Sequence, residues 1–81
     1  MISKHSIETA YSFLHQKQNI YIHSSLAWQR EDIEYAVGEY AGQMDSALYE
    51  QLARGREDFL YSHASFSSDI ASAVSQLEAM L

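Results

Sequence analysis

The chain contains no cysteine. It therefore has neither a disulfide framework nor a thiolate metal site, nothing covalent reinforces its core, and its expected compartment is the reducing cytoplasm. Glycine is also scarce. Gly38, Gly42 and Gly55 are the only three, too few and too dispersed for the GxGxxG turn or Walker loop that cradles phosphate with backbone amides. No apolar run exceeds three residues, whereas a membrane-spanning helix needs roughly 20. The N-terminal MISKHSIETAY lacks the apolar stretch of a signal peptide. A soluble, unexported chain is expected, with no membrane partner.

Basic residues are few as well: five Lys and Arg stand against 11 Asp and Glu, for a net charge of −6. Residues 1–25 carry +1, from Lys4 and Lys17 against Glu8, and residues 26–81 carry −7, from three arginines against ten acids. Binding to nucleic acid is driven by counterion release from clustered Lys and Arg, so direct DNA or RNA binding is not expected. The same charge admits an acidic mimic of DNA that occupies a nucleic-acid-binding protein. A solvated acidic surface that maintains solubility explains it more simply.

What the chain does have is helical periodicity. With 81 residues, 47% of them apolar, it reads as one domain (1–81), and one of this size buries only about 60% of its unfolded surface. The organising stretch is LAWQREDIEYAVGEYAGQM, from Leu26 to Met44. Wound at about 100° per residue, it puts Leu26, Ile33, Ala36, Val37, Tyr40 and Met44 on one face. Trp28, Glu31, Asp32, Tyr35 and Glu39 fall on the other. A peripheral helix needs one apolar stripe only, so this second face is the candidate contact surface. That face meets another helix of this chain, a second copy or a partner; Trp28 either packs within the chain, the favoured reading, or anchors the contact, and Tyr35 is expected to stay exposed beside its acids.

The remaining elements follow in order. Ser3 or Ser6 caps a first helix over 4–18, with Ile7, Ala10, Tyr11 and Leu14 at helical spacing. Lys4 and Glu8 are placed to pair on its solvent side, and Asn19 suits a left-handed C-terminal position. Ile20, Tyr21, Ile22 and His23 are β-prone but have no partner strand. They form either an extended connector or the last turn of that helix. Ser24 and Ser25 cap the central helix, which ends near Gly42. Gly38 inside it, with Gly42 one turn on, signals either close approach of another backbone or a tolerated flaw. Asp45 caps a third helix over 46–54, in which Glu50 and Arg54 are spaced to pair, and Gly55 ends it. A fourth short helical segment is expected over 56–66, with His63 packed on the Phe59 and Leu60 side. Ser67 or Ser68 opens the last helix, whose apolar stripe is Phe66, Ile70, Val74, Leu77 and Leu81 and whose outer face is Ser68, Ser72, Ser75 and Ala79. The fold class is thus all-α, a small bundle of four to five short helices. Its expected core is Ile33, Val37, Tyr40, Leu48, Leu52, Phe59, Ile70, Val74 and Leu77.

An internal similarity stands beside this pattern. LAWQREDIEY from Leu26 matches LARGREDFLY from Leu52 at six of ten positions. A duplicated helical hairpin would produce it, although repeat architectures generally need three or more units. The RED triplets read as solvated helix starts, where acids suit the positive end of the dipole.

No catalytic constellation is visible. None of the four histidines has a glutamate three residues before it, as a di-iron carboxylate bundle requires. There is no Cys or His metal spacing, and the serines include no GxSxG elbow. Neither an enzyme nor a cofactor is expected. Trp28 and six tyrosines exceed what a thin core encloses, and Tyr, Trp and Arg are the residue types that anchor interfaces. The expectation is a non-catalytic protein-protein interaction or accessory module that self-associates, as a homodimer, or holds another protein. Its partner-binding residues would be Trp28, Glu31, Tyr35 and Glu39, with Tyr21 or Tyr61 as further anchors.

Overall fold

A computed structural model describes residues 2–81 and is all-helical, with no strand among them. Its helices are α1 (Lys4–His23), α2 (Ala27–Gln43), α3 (Ser46–Ala53) and α4 (Phe66–Met80). No helix among the described residues is long and apolar enough to cross a membrane.

Helix α1 is capped by Ser3, whose hydroxyl accepts the Ser6 N–H at 3.1 Å. It runs through Ile20–His23, so the β-prone run is its last turn, and Asn19 stays helical rather than left-handed. Burial explains why propensity yields here. Tyr21 is enclosed with its ring 4.9 Å from that of Phe66, and its hydroxyl donates to Glu34 at 2.9 Å; tertiary packing of this kind overrides a weak local preference. The predicted Lys4–Glu8 pair is not among the ion pairs formed.

Helix α2 starts at Ala27 with Leu26 as its cap residue and no side-chain cap. Ser24 instead receives the Leu26 N–H at 3.4 Å and donates to Gln29 at 2.7 Å. Leu26 lies ahead of the first helical turn and is exposed, which removes it from the expected inner face. Ile33, Val37 and Ala41 are buried. Tyr40, expected in the core, is only half-buried and stacks on Phe13 with 4.2 Å between ring centroids.

Asp45 caps α3 by accepting the Leu48 N–H at 2.9 Å. The helix ends where Arg54 (φ 52°) and Gly55 (φ 87°) turn left-handed. Arg54 therefore leaves the helix, and the predicted Glu50–Arg54 pair does not form.

Residues 56–65 form turns rather than the expected fourth helical segment. A buried carboxylate dictates this path. Asp69, 2% exposed, accepts the Leu60 N–H at 3.0 Å, the Ser65 hydroxyl at 3.2 Å and the Arg56 guanidinium. Arg56 also reaches Asp58 and Ser65, each at 3.0 Å. Leu60 adopts φ 67°, a costly conformation for a side chain branched beyond Cβ, and with it both Phe59 and Leu60 turn into the core.

Helix α4 accordingly begins at Phe66, with Ser65 in the cap position and its hydroxyl committed to Asp69. Ser67 and Ser68 lie inside the helix and are exposed. Phe66, Ile70, Val74 and Leu77 are buried as the spacing predicts, whereas Leu81 lies past the helix end and is exposed. Packing of α1 on α4 dominates the interior, with α2 resting on α1 and α3 on α4. No buried side-chain polar atom among the described residues lacks a hydrogen-bond partner.

Candidate functional site: the outer face of helix α2

Trp28 and Tyr35 are two helical turns apart, so they project from the same side of α2. They are 62% and 71% exposed, the most exposed large apolar side chains among the described residues. The expectation that Trp28 packs within the chain is thereby corrected: it projects from the face of α2 opposite the buried Ile33 and Val37, where no other element covers it. Glu31 and Glu39 are exposed on the same side. Of the two further candidate anchors, Tyr21 is buried and Tyr61 is exposed.

Tyr35 and Glu39 are one turn apart and joined, the phenol donating to Glu39 Oε1 at 2.7 Å. That hydrogen bond, followed by the charge of Glu39, raises the pKa of Tyr35 above its ordinary 10.0. A hydroxyl that donates a hydrogen bond to an anion resists deprotonation. Beside this pair lies an open groove of about 530 Å³, lined by Glu34, Tyr35, Gly38, Glu39, Gly42, Gln43, Leu60 and Tyr61.

Two glycines line the groove. A β-carbon on Gly38 would lie 3.6 Å from Tyr61 Cδ1 and 3.9 Å from the Leu60 carbonyl, and one on Gly42 would lie 3.6 Å from the Tyr61 hydroxyl. The Leu60–Tyr61 turn therefore rests along the glycine side of α2. What approaches is a turn carrying an aromatic ring, and the contact distances are ordinary. The two glycines and Tyr61 are separate features of the sequence; the turn that brings them together is anchored by Asp69, to which no periodicity points.

Two other expectations change here. His63 is exposed rather than packed, and its Nδ1 lies 2.8 Å from Glu34 Oε1. The two similar segments also differ in backbone: residues 27–35 are helical, whereas 54–61 are turns. In the second, Arg56 is bound to Asp69 and so is not part of a helix start. Among the described residues, no three His, Asp or Glu side chains gather as a metal site would require.

No protein-family model matches the chain, and neither the curated proteins nor the solved structures yielded a match.

Proposed function

We propose that this chain is a non-catalytic protein-protein interaction module whose contact surface is the outer face of α2, with Trp28, Glu31, Tyr35 and Glu39 as the contacting residues. The observation that carries this reading is the joint exposure of Trp28 and Tyr35 on one face. Trp and Tyr supply large contact area at small entropic cost and dominate interface energetics. The interior does not need them, since it is closed by Leu14, Leu48, Leu52, Phe66 and Leu77 without them.

An acidic mimic of nucleic acid rests on charge alone and leaves the aromatic stripe without a role. Ionic strength separates the two: a mimic's affinity falls steeply with added salt, whereas association anchored by Trp and Tyr persists.

A photo-crosslinking residue placed at position 28 or 35 of the full chain, with position 75 on the outer face of α4 as control, tests the proposal in cells. Recurrent crosslinks to one protein, or to a second copy, from 28 and 35 but not from 75 are expected. Equal labelling from all three positions contradicts it. Trp28→Ala with Tyr35→Ala should retain helicity and lose that association. Emission of Trp28 in the isolated chain should resemble that of free tryptophan in water, and a strongly blue-shifted maximum at monomer concentrations would remove Trp28 from the interface.

A further inference from the structure

We propose that the groove between α2 and the Leu60–Tyr61 turn takes an arginine side chain from a basic segment of a partner protein, its guanidinium lying on the Tyr35 ring and paired with Glu39. This rests on the reading of α2 as a contact surface and assigns the chemistry of what it contacts.

The molecule supplies part of this pattern internally. The Tyr21 hydroxyl donates to Glu34 at 2.9 Å, and the guanidinium of Arg30 lies 4.2 Å from the centre of the Tyr21 ring. This unit joins tyrosine to carboxylate and guanidinium to ring face, while the guanidinium itself donates to the Ser24 carbonyl at 3.3 Å rather than to Glu34. Tyr35 and Glu39 repeat its first two members, with the hydroxyl donating to the carboxylate at 2.7 Å. There the ring is 71% exposed, and no arginine or lysine lines the groove. Glu39 Oε1 takes the phenol, while Oε2 makes no hydrogen bond among the described residues.

Charge complementarity selects the occupant. The groove is lined by Glu34 and Glu39 together with Tyr35 and Tyr61. Helix α2 as a whole has Arg30 against Glu31, Asp32, Glu34 and Glu39, a net of −3. A planar, weakly hydrated guanidinium stacks on aromatic faces and donates to a carboxylate in one geometry, which a lysine ammonium does less well. A second copy docking through its own α2 face would bring like charge to the same place.

Titration of the 15N-labelled full chain with a capped alanine peptide containing two arginines tests this by NMR. Amide shifts should concentrate at Gly38, Glu39, Gly42 and Tyr61. The peptide with lysines should bind more weakly, and the one with citrullines should produce no shifts. Glu39→Gln and Tyr35→Ala, both at exposed positions, should each weaken binding about two- to fivefold. The proposal fails if the shifts scatter over acidic residues across the molecule, if citrulline serves as well as arginine, or if neither substitution changes affinity. It also fails if the groove signals respond to dilution of the chain alone and light scattering gives the mass of a dimer. Specific crosslinks from α2 with a silent groove would overturn the arginine assignment and leave the interaction module standing. A responsive groove without crosslinks from position 28 would support the arginine site and remove Trp28 from the contact surface.

Discussion

The backbone N–H of Leu60 donates to the carboxylate of Asp69 at 3.0 Å, across nine residues of chain and inside the protein. This bond holds Leu60 at φ 67°. Positive φ costs a bulky residue of the order of 1–3 kcal/mol. Burial of the Leu60 side chain, 1% exposed, offsets it. One carboxylate thereby fixes the turn that places Tyr61 against Gly38 and Gly42 and gives the groove its second wall.

Asp69→Ala should therefore destabilise the fold by about 2–3 kcal/mol, since it leaves the buried Leu60 amide without an acceptor. Asp69→Asn keeps one acceptor oxygen and should cost less. Arg56 is 43% exposed at its side chain, so it regains water in both variants, which limits the loss. Urea denaturation of the three proteins gives the order; an Asp69→Ala protein as stable as the parent would show that the carboxylate does not hold the turn.

Leu77 and Leu81 share the α4 stripe in sequence but not in burial, at 0% and 55% exposed. Leu77→Ala should cost about 2–4 kcal/mol through lost burial and a residual cavity, while Leu81→Ala should change stability by less than about 0.5 kcal/mol. Thermal melts followed by circular dichroism distinguish them.

Gly38→Ala is expected to stabilise, by up to about 1 kcal/mol. The new β-carbon meets Tyr61 at an ordinary 3.6 Å, and alanine gains helix propensity and reduces the entropy of the unfolded chain. A clearly lower melting temperature would mean that the Tyr61 turn cannot give way even slightly.

Alkali should weaken the fold in a defined window. Burial raises the Tyr40 and Tyr49 pKa values above 10.0, and the hydrogen bond to Glu39 raises that of Tyr35. In each case the folded state holds its proton more tightly than the unfolded chain. The associated stability is complete below about pH 10 and declines as pH rises through the folded values. Stability against urea should thus fall above about pH 10. Glu39→Gln should return Tyr35 toward 10.0 without moving Tyr49, as followed by NMR titration of the phenol carbons; an unchanged Tyr35 titration would mean that the 2.7 Å bond to Glu39 is not formed in solution.

Local and repeating features were legible in the sequence. The stripe of Phe66, Ile70, Val74 and Leu77 and the inner residues Ile33 and Val37 follow a 3.6-residue period, which is a property of consecutive residues. The caps at Ser3 and Asp45 are equally local, each needing only a short polar side chain ahead of free amides. The exposed Tyr35 beside its acids was read from the same helical wheel.

Tertiary structure decided what depends on residues distant in the chain. Asp69 looks like any acid in a helical first turn; only packing brings Arg56, Leu60 and Ser65 around it and turns 56–65 away from a helix. Tyr21 lies in a β-prone run, yet its contacts with Phe66 and Glu34 keep α1 helical to His23. Trp28 is a large apolar side chain of the kind cores enclose, but it lies on the face of α2 turned away from Ile33 and Val37, which no other element reaches, and it stays in solvent. Periodicity assigns a residue to a face of its own helix, whereas burial depends on whether another element reaches that face, and only the packed chain determines that.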